Sequence, residues 1–337
     1  MRIVVVGGTG NVGSAVLRQL GGAAGNDLVG VSRRAPAPVP PYAGVDWHEL
    51  DLADPDCVGP LTTLLRGADA VVHAAWLIQP SRDEDAMRRT NIDGTDRLCA
   101  AMVAAGVGHL VHLSSVGVYS PAPKDRRVTE DWPADGISTS TYSRHKVAVE
   151  RILDTVAPSL TVTRLRPALI MQRAAASEIR RYFLGPLVPR VLLRLARARR
   201  LPVLPLPARL VLQFVHAADV ARAVDLAIAA RLGGPFNLAA EPALDPAALA
   251  RLVGARRVPV PESAFRAVTA ATWRLRLQPT AAGWVDLGLG APIMDTTRAT
   301  TELGWTPSHT ATDAVRELLD GLADGSGRDT SPALRST

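Results

Sequence analysis

Short apolar runs alternate with segments of helical spacing along the first half of the chain. The first run, Arg2–Val6, is followed by a glycine-rich turn and by Gly13–Leu20, whose apolar residues recur at helical spacing. The same pattern predicts strands at Leu28–Val31, Asp46–Leu50, Ala70–His73, Leu110–Leu113 and Thr161–Arg164, and helices around Pro55–Arg66, Asp85–Ala105 and Thr139–Val156. Such alternation predicts an α/β protein with a doubly wound parallel sheet, whose ligand site lies at the carboxyl ends of the strands.

The alternation fades after residue 167, where prolines interrupt an apolar, arginine-rich segment. Gln213–Val215 and Phe236–Leu238 are predicted strands that flank a helix at Asp219–Ala230, which begins at Ala217 or Ala218 without a strong cap. We therefore predict a first domain from residues 1–165 and about 212–240. A smaller C-terminal substrate-binding lobe is predicted from about 166–211 and 241–324, followed by a loose tail at 325–337.

A glycine pattern joins the first strand to the first helix. Gly7, Gly10 and Gly13 are spaced three apart, which permits a tight turn and close approach of a pyrophosphate to the helix N-terminus. This context predicts a Rossmann-type dinucleotide-binding domain. The cofactor-binding residues expected in the loop are Gly7, Thr9, Gly10, Asn11, Val12 and Gly13.

The end of the second strand bears on the choice of cofactor. An acid at this point favours NAD, whereas a cation accommodates the 2′-phosphate of NADP. Here Ser32 offers a hydroxyl, and Arg33 and Arg34 can pair with a phosphate. We predict that NADP(H) is preferred and that NAD(H) remains possible. Asp51 and Leu52, after the third strand, are expected beside the adenine.

Tyr142 and Lys146 lie four residues apart and hence on one face of a predicted helix. An ammonium beside a phenol stabilises the phenolate and lowers its pKa, so this pair can transfer protons. The chain has four tyrosines and two lysines, Lys124 and Lys146, against many arginines, which makes a chance match less common. Ser114 and Ser115 end the fifth strand, so a serine hydroxyl is expected at the same edge of the sheet.

Taken together, several motifs resemble the extended short-chain dehydrogenase/reductase group, the NAD-dependent epimerase/dehydratase family, over about residues 1–325. The motifs are Gly7–Gly13, Asp51-Leu52, His73-Ala74-Ala75, Asn91 with Gly94-Thr95, Ser114-Ser115, Tyr142 to Lys146, Arg166-Pro167 and Phe214–Ala221. The resemblance implies Tyr142 as the general acid/base and Lys146 as a ligand of the nicotinamide ribose. It further implies Ser115, rather than Ser114, on the substrate oxygen, Asn91 in a proton relay, and Ala74, Ala75 and Pro167 at the cofactor.

Two departures from the family bear on the reaction. Ser115-Val116-Gly117 lacks the acidic residue that the sugar-nucleotide dehydratases carry, so dehydration is disfavoured. Aliphatic residues follow Arg166-Pro167, where sugar-nucleotide enzymes commonly carry an asparagine. Leu169 is therefore a candidate substrate contact for a less polar compound, and Arg173 a candidate for an anionic group.

Composition limits the remaining classes of protein. With two cysteines, the chain offers neither a disulfide framework nor a Cys-rich metal site. The sequence has no apolar run long enough to predict a membrane span. We therefore expect a cytoplasmic protein. Of the net charge of +6, nine arginines and one acid between residues 173 and 209 contribute a local +8. This segment has little aromatic content, so nucleic-acid binding is not expected.

The leading hypothesis is an NADP(H)-dependent oxidoreductase that acts on a carbonyl or a secondary alcohol of a small molecule. An NAD-dependent sugar-nucleotide epimerase and a non-catalytic nucleotide-binding protein remain alternatives. A homodimer is expected by analogy.

Overall fold

The computed structural model describes residues 1–23, 25–79, 82–185, 188–327 and 334. Its strands are β1 (Arg2–Val6), β2 (Asp27–Ser32), β3 (Asp46–Glu49), β4 (Ala70–His73), β5 (His109–Leu113), β6 (Arg127–Val128), β7 (Thr161–Pro167), β8 (Leu169–Met171), β9 (Val203–Pro207), β10 (Leu212–His216), β11 (Gly234–Leu238), β12 (Ala240–Leu244), β13 (Arg256–Val260) and β14 (Ile293–Met294). Its α-helices are α1 (Asn11–Gly21), α2 (Val58–Leu65), α3 (Glu84–Arg88), α4 (Gly94–Ala105), α5 (Thr141–Val156), α6 (Ala176–Ile179), α7 (Arg190–Arg197), α8 (Ala217–Ala230), α9 (Pro246–Leu252), α10 (Glu262–Arg274), α11 (Ala282–Gly290), α12 (Thr297–Leu303) and α13 (Ala311–Asp324).

Within the described part of the chain, seven strands form one parallel sheet in the order β3-β2-β1-β4-β5-β7-β11. The chain proceeds outward from β1 in one direction to β3, then returns to β4 on the other side. Such a reversal opens a crevice at the carboxyl ends of the strands. The predicted doubly wound α/β fold is therefore confirmed, with the crevice between β1 and β4.

Both faces of the sheet are covered, which explains why its central strands are almost wholly apolar. Val5 and Val72 belong to a buried cluster with residues of α1 and α8, whereas Val4 and Val71 belong to a second cluster with residues of α2, α4 and α5. Trp305, which is fully buried, joins the first cluster from the C-terminal part of the chain.

Two predicted helices differ in detail from the structure. The helix expected at Asp85–Ala105 is α3 and α4 joined by a π-helical turn at Arg89–Asp93. The helix at Asp219–Ala230 begins at Ala217 and has a cap after all, because a ring nitrogen of His216 accepts a hydrogen bond from the Ala218 amide at 3.2 Å. Histidine is not a common capping residue, so the sequence did not reveal it.

The C-terminal part contains strands that the sequence pattern concealed, because prolines lie within or beside them. β8 and β12 flank β10 in a small sheet, and β9 pairs with β13. The predicted strand at Phe236–Leu238 lies in β11 of the central sheet, whereas Gln213–Val215 lies in β10, outside it. The division into two lobes stays a prediction, and most of the predicted tail, 328–333 and 335–337, lies outside the described residues.

No helix in the described ranges has both the length and the apolar character needed to cross a bilayer.

Candidate active site

The glycine loop lies in the crevice between β1 and β4. Gly7 has a φ of +85°, and a Cβ there would lie 2.4 Å from the Ala75 amide nitrogen. A Cβ on Gly13 would lie 2.1 Å from the Gly7 carbonyl oxygen. Glycine is thus required at both positions by close backbone packing of the loop, α1 and the segment after β4.

Gly10 differs from these two glycines. A Cβ there would meet the Gly7 carbonyl oxygen at 3.5 Å, an ordinary contact distance. Gly10 is the N-cap of α1 and provides no side-chain cap. Within the described residues, close packing therefore does not require glycine at this position, and the lack of a side chain leaves room for a ligand at the helix N-terminus.

Other predicted loop residues have structural partners. The side-chain amide of Gln172, after β8, donates to the Asn11 carbonyl oxygen at 2.8 Å and to its side-chain oxygen at 2.6 Å. Thr9 is buried, and Val12 packs against the cluster that covers α1. Gln172, which the sequence did not reveal, thus ties the loop to the C-terminal part of the chain.

The end of β2 carries the residues predicted to select the cofactor. The Ser32 hydroxyl donates to the Arg34 carbonyl oxygen at 2.7 Å, which tightens the turn. Arg33 and Arg34 are exposed, and among the residues described neither has an anionic partner. Glu49 stands beside Ser32 on β3 and accepts from the Ala35 amide at 2.8 Å. Both guanidinium groups are thus available to a bound anion.

The remaining predicted cofactor residues frame the same crevice. Asp51 is exposed and accepts from the Ala53 amide at 3.0 Å, while Leu52 is buried and faces Gly94. The Ala74 amide donates to the Val6 carbonyl oxygen at 2.8 Å, which extends the pairing of β1 and β4. Pro167 is the buried last residue of β7.

Tyr142 lies in the first turn of α5, next to the end of β5. Its ring and the Ser115 hydroxyl oxygen both lie beside Gly117, and Ser115 acts on the phenol so as to lower its pKa. The Ser115 hydroxyl oxygen also accepts from the Gly117 amide at 3.0 Å. A Cβ on Gly117 would lie 3.0 Å from the tyrosine ring. The absence of a side chain at Gly117 therefore lets the phenol reach Ser115.

The Ser114 hydroxyl bonds Glu150 rather than Tyr142. It donates to Glu150 Oε1 at 2.5 Å, and Glu150 is held by Arg166 through two bonds of 3.0 and 2.6 Å. Arg166 in turn donates to the Tyr119 hydroxyl at 3.0 Å. The two adjacent serines thus have separate roles: Ser114 joins a buried charged network behind the site, while Ser115 contacts Tyr142.

Lys146 follows Tyr142 by one helical turn. Its Nζ donates to the Leu113 carbonyl oxygen at 2.7 Å and lies 3.5 Å from the centroid of the Trp76 ring, a cation–π distance. Burial lowers the pKa of Lys146 to about 7, and the charge of Glu150 opposes this shift.

Burial also dominates the pKa of Tyr142, which it raises to about 12, while the hydrogen bond with Ser115 acts in the opposite direction. The lowering by Lys146 that the sequence led us to expect is not found. The ammonium nitrogen lies 5.8 Å from the tyrosine ring centroid, and it bonds the Leu113 carbonyl instead. Tyr142 is therefore a neutral phenol in this structure.

Asn91 lies in the π-helical turn and is buried. Its side-chain oxygen accepts from the Leu77 amide and its side-chain nitrogen donates to the Leu77 carbonyl, both at 2.8 Å. These bonds hold the segment after β4 in place. The proton-relay role of Asn91 stays a prediction.

Two buried histidines lie on the same side of the sheet as α5. His73 and His112 are neighbours on β4 and β5, with ring centroids 5.1 Å apart. Burial, followed by the charge of Lys146, lowers the pKa of His73 to about 3. Burial, followed by His73 and then Lys146, lowers the pKa of His112 well below its usual range. Both imidazoles are therefore neutral neighbours of Lys146.

Aromatic side chains surround Tyr142. The Trp284 ring centroid lies 4.9 Å from that of Tyr142, Phe183 packs on Trp284 at 4.9 Å, and Trp76 lies at 5.9 Å on another side. A cavity of about 180 Å³ adjoins Tyr142; its apolar lining includes Leu77, Ile78, Met87, Trp273 and Trp284, and its polar lining includes Thr139–Thr141 and Arg144. The sequence did not reveal this aromatic wall, because its members come from distant segments.

The two predicted substrate contacts that follow Pro167, Leu169 and Arg173, lie outside this cavity lining. Leu169 is exposed on β8, and the Arg173 side chain pairs with Asp324 at the end of α13. The Arg173 amide also donates to Glu317 at 3.0 Å. Their roles at the substrate stay predictions.

Among the described residues, one group has the composition of a metal site: His216, Asp219 and His309. Its polar atoms are engaged in the fold, however. His309 Nδ1 lies 3.0 Å from Asp219, which also accepts from the amide and hydroxyl of Ser308, while His216 caps α8. These contacts anchor the segment before α13 to the start of α8.

The fold and the motifs define the class of protein: a Rossmann fold of the extended short-chain dehydrogenase/reductase type. A family model described as "NAD dependent epimerase/dehydratase family" matches residues 3–239. The chain belongs to this family, and the resemblance seen in the sequence is confirmed.

Three similar proteins illustrate the range of the family. "Uncharacterized protein Mb0513" of Mycobacterium bovis is 30% identical over 267 residues, which cover 75% of this chain and 65% of that protein, less than two thirds of its length. "dTDP-6-deoxy-L-talose 4-dehydrogenase (NAD(P)(+))" of Kitasatospora kifunensis is 30% identical over 337 residues, 94% of each chain. "2-alkyl-3-oxoalkanoate reductase" of Stenotrophomonas maltophilia is 32% identical over 173 residues, 50% of this chain and 51% of that one.

Solved structures show the same fold. DesIV, a dTDP-glucose 4,6-dehydratase from Streptomyces venezuelae solved with NAD and TYD bound, superposes with a TM-score of 0.69 over 96% of this chain and 97% of its own. Its sequence identity is 22%, so the similarity is one of fold.

Proposed function

We propose that this protein is an NADP(H)-dependent oxidoreductase that reduces a carbonyl group to a secondary alcohol, or catalyses the reverse reaction. The observation that carries the proposal is the placement of Tyr142. Its phenol lies beside Ser115, it is one helical turn from Lys146, and it borders a cavity at the carboxyl edge of the sheet.

The residues around the crevice fit a dinucleotide. Gly7 and Gly13 permit the tight turn, and a Cβ on Gly10 would meet no protein atom closer than 3.5 Å in the described residues. In this proposal the Lys146 ammonium binds the ribose hydroxyls of the dinucleotide. When bound, the nicotinamide supplies or accepts the hydride.

The protonation state of Tyr142 is the one that reduction of a carbonyl requires. A phenol whose pKa is raised to about 12 carries its proton at neutral pH. A carbonyl oxygen that becomes an alkoxide requires a proton donor, and Tyr142 can transfer its hydroxyl proton to that oxygen while Ser115 holds it. The reverse reaction would first require removal of the Tyr142 proton.

The preference for NADP(H) rests on Arg33 and Arg34. Both are exposed, neither has an anionic partner within the described ranges, and they follow the strand that ends beside the expected adenosine ribose. A 2′-phosphate would supply the missing anion.

The apolar lining of the cavity beside Tyr142 supports a substrate with an apolar portion. Trp284, Trp273 and Ile78 provide flat or aliphatic surfaces that gain from burying hydrocarbon. The similarity to a 2-alkyl-3-oxoalkanoate reductase agrees with this proposal.

The test is NADPH consumption with a panel of alkyl and aryl ketones, including 3-oxoalkanoates. We expect Tyr142→Phe to lower turnover by about 10²- to 10⁴-fold on any substrate found, because the proton donor is lost. Ser115→Ala should lower turnover as well, whereas Ser114→Ala, the matched control, should reduce stability through Glu150 and leave more of the turnover. Full turnover by Tyr142→Phe would overturn the mechanism.

A second candidate is a sugar-nucleotide epimerase or dehydrogenase. It is favoured by the 30% identity, over 94% of the chain, to a dehydrogenase of a dTDP-sugar. Interconversion of dTDP- or UDP-sugars without net NADPH consumption would establish the epimerase. A cytoplasmic location and a homodimer also stay predictions.

A further inference from the structure

Two segments in the C-terminal part of the chain are rich in arginine and free of acidic residues. Residues 190–207 and 251–260 contain no Asp or Glu, and their arginines are Arg190, Arg194, Arg197, Arg199, Arg200, Arg251, Arg256 and Arg257. The segments are adjacent in space, because β9 pairs with β13 and the Leu201 amide donates to the Val253 carbonyl at 3.2 Å. We call this combined area the basic apolar surface.

Large apolar side chains stand exposed among these arginines. Val191 is 57% exposed, Leu192 40%, Val203 49% and Val258 37%. The neighbouring helix α10, which packs against β9, adds Val268, and the residues just after it add Leu275 and Leu277. Together they are seven of the eleven large apolar residues exposed in the described part of the chain. Single exposed apolar residues are ordinary, but a concentration of them indicates an interaction surface.

The charges of this surface are largely unneutralised. Arg197 pairs with Asp324 on α13. Arg194, Arg199 and Arg200 are exposed, and within the described ranges none of them has an acidic partner. The protein therefore leaves cations free beside exposed valine and leucine.

This combination restricts the partner. A second copy of the chain would bring two sets of arginines together, which like-charge repulsion opposes. Single-stranded nucleic acid would need aromatic stacking platforms, and residues 190–207 and 251–260 contain no Phe, Tyr or Trp. Duplex DNA would neutralise the arginines but would offer the valines and leucines no apolar contact. An anionic lipid surface supplies negative headgroups and an apolar layer just beneath them.

We propose that the basic apolar surface docks this protein on an anionic lipid bilayer. The exposed arginines Arg194, Arg199, Arg200 and Arg256 lie at the headgroups. Val191, Leu192, Val203 and Val258 enter the boundary between headgroups and acyl chains. The protein lies on the bilayer without spanning it. The proposal is independent of the reaction proposed above.

The test is co-sedimentation of the full chain with vesicles of phosphatidylcholine alone and with about one-third phosphatidylglycerol. We expect binding to the anionic vesicles that is at least about tenfold tighter and that weakens strongly at high salt. Arg194→Glu with Arg200→Glu should weaken binding by about tenfold or more, because four units of charge change at the headgroups. Val191→Ser with Leu192→Ser should weaken it severalfold.

The matched control is Arg66→Glu with Arg222→Glu, which changes the net charge equally at exposed sites outside this surface. It should change vesicle binding by less than about twofold, since charges far from the bilayer are screened. Circular dichroism and thermal melting check that each variant is folded. No binding to anionic vesicles, an equal loss in the control pair, or binding of a DNA duplex in preference to vesicles would overturn the proposal.

Discussion

Arginine has opposite surroundings in two regions of this protein. Behind Tyr142, Arg166 is buried, with two bonds to Glu150 and further bonds to Tyr119 and the Glu130 backbone. On the basic apolar surface, Arg194 and Arg200 face solvent without an acidic partner among the described residues. The difference teaches that burial makes pairing obligatory, because an isolated charge in the interior is costly, whereas an exposed cation can be left for a ligand or partner.

The largest effect is expected where the buried pair is broken. Arg166→Met should lower the free energy of unfolding by about 3–5 kcal/mol, because Glu150 would be left buried without its partner. Chemical denaturation measures this. Arg127→Met, which breaks an exposed pair with Glu241, is the matched control and should cost about 1 kcal/mol or less. Equal losses in the two variants would show that burial does not distinguish these pairs.

The pH dependence of the free energy of unfolding tests how burial affects a second cation, the Lys146 ammonium. This ammonium loses its proton near pH 10.5 in the unfolded chain but near pH 7 in the folded protein, so the unfolded chain binds one more proton between these values. The free energy of unfolding should therefore rise with pH from about 7 to 10.5, by a few kcal/mol in total, and Lys146→Met should remove this rise.

Lys124, the other lysine, provides the control for that measurement. Burial lowers its pKa to about 8, so its contribution begins at a higher pH. Lys124→Met should keep the rise between about pH 7 and 8 that Lys146→Met removes. Denaturation curves recorded across this range distinguish the two, and an unchanged slope in Lys146→Met would show that its ammonium is not destabilised by burial.

Arg33 and Arg34 are exposed arginines that we expect to bind the 2′-phosphate of NADP. Arg33→Ala with Arg34→Ala should weaken NADP binding by about tenfold or more, since two charge-assisted contacts to the 2′-phosphate are lost, and should leave NAD binding nearly unchanged. Titration with both dinucleotides measures the ratio. Tighter binding of NAD than of NADP by the unaltered protein would show that the cofactor preference is wrong.

The smallest effect is expected on the basic apolar surface. Arg194→Met with Arg200→Met should change the free energy of unfolding by less than about 0.5 kcal/mol, because neither side chain forms an ion pair within the described ranges. Thermal or chemical denaturation checks this. A clear loss of stability would mean that these arginines support the fold rather than a partner.

Much of the fold and part of the candidate site could be predicted from local patterns. The alternation of apolar runs and helices predicted the doubly wound sheet, and the spacing of Gly7, Gly10 and Gly13 predicted a loop that the packing of the structure explains. Tyr142 and Lys146 could be paired because four residues make about one helical turn. The raised pKa of Tyr142 could not be predicted from the sequence, because it depends on how deeply the phenol is buried and on where the Lys146 ammonium bonds.

The sequence by itself determined the α/β architecture, the glycine crevice and the candidate catalytic residues, because each depends on spacing within one segment. The family resemblance implied Ser115 rather than Ser114, and the tertiary structure supplied the physical reason, since the Ser114 hydroxyl bonds Glu150 while Ser115 lies beside Tyr142. The tertiary structure also brought Trp76, Phe183 and Trp284 around one phenol and joined two arginine-rich segments into one surface. These features arise from contacts between residues far apart in the chain, and such contacts are set by packing of the whole molecule rather than by local pattern.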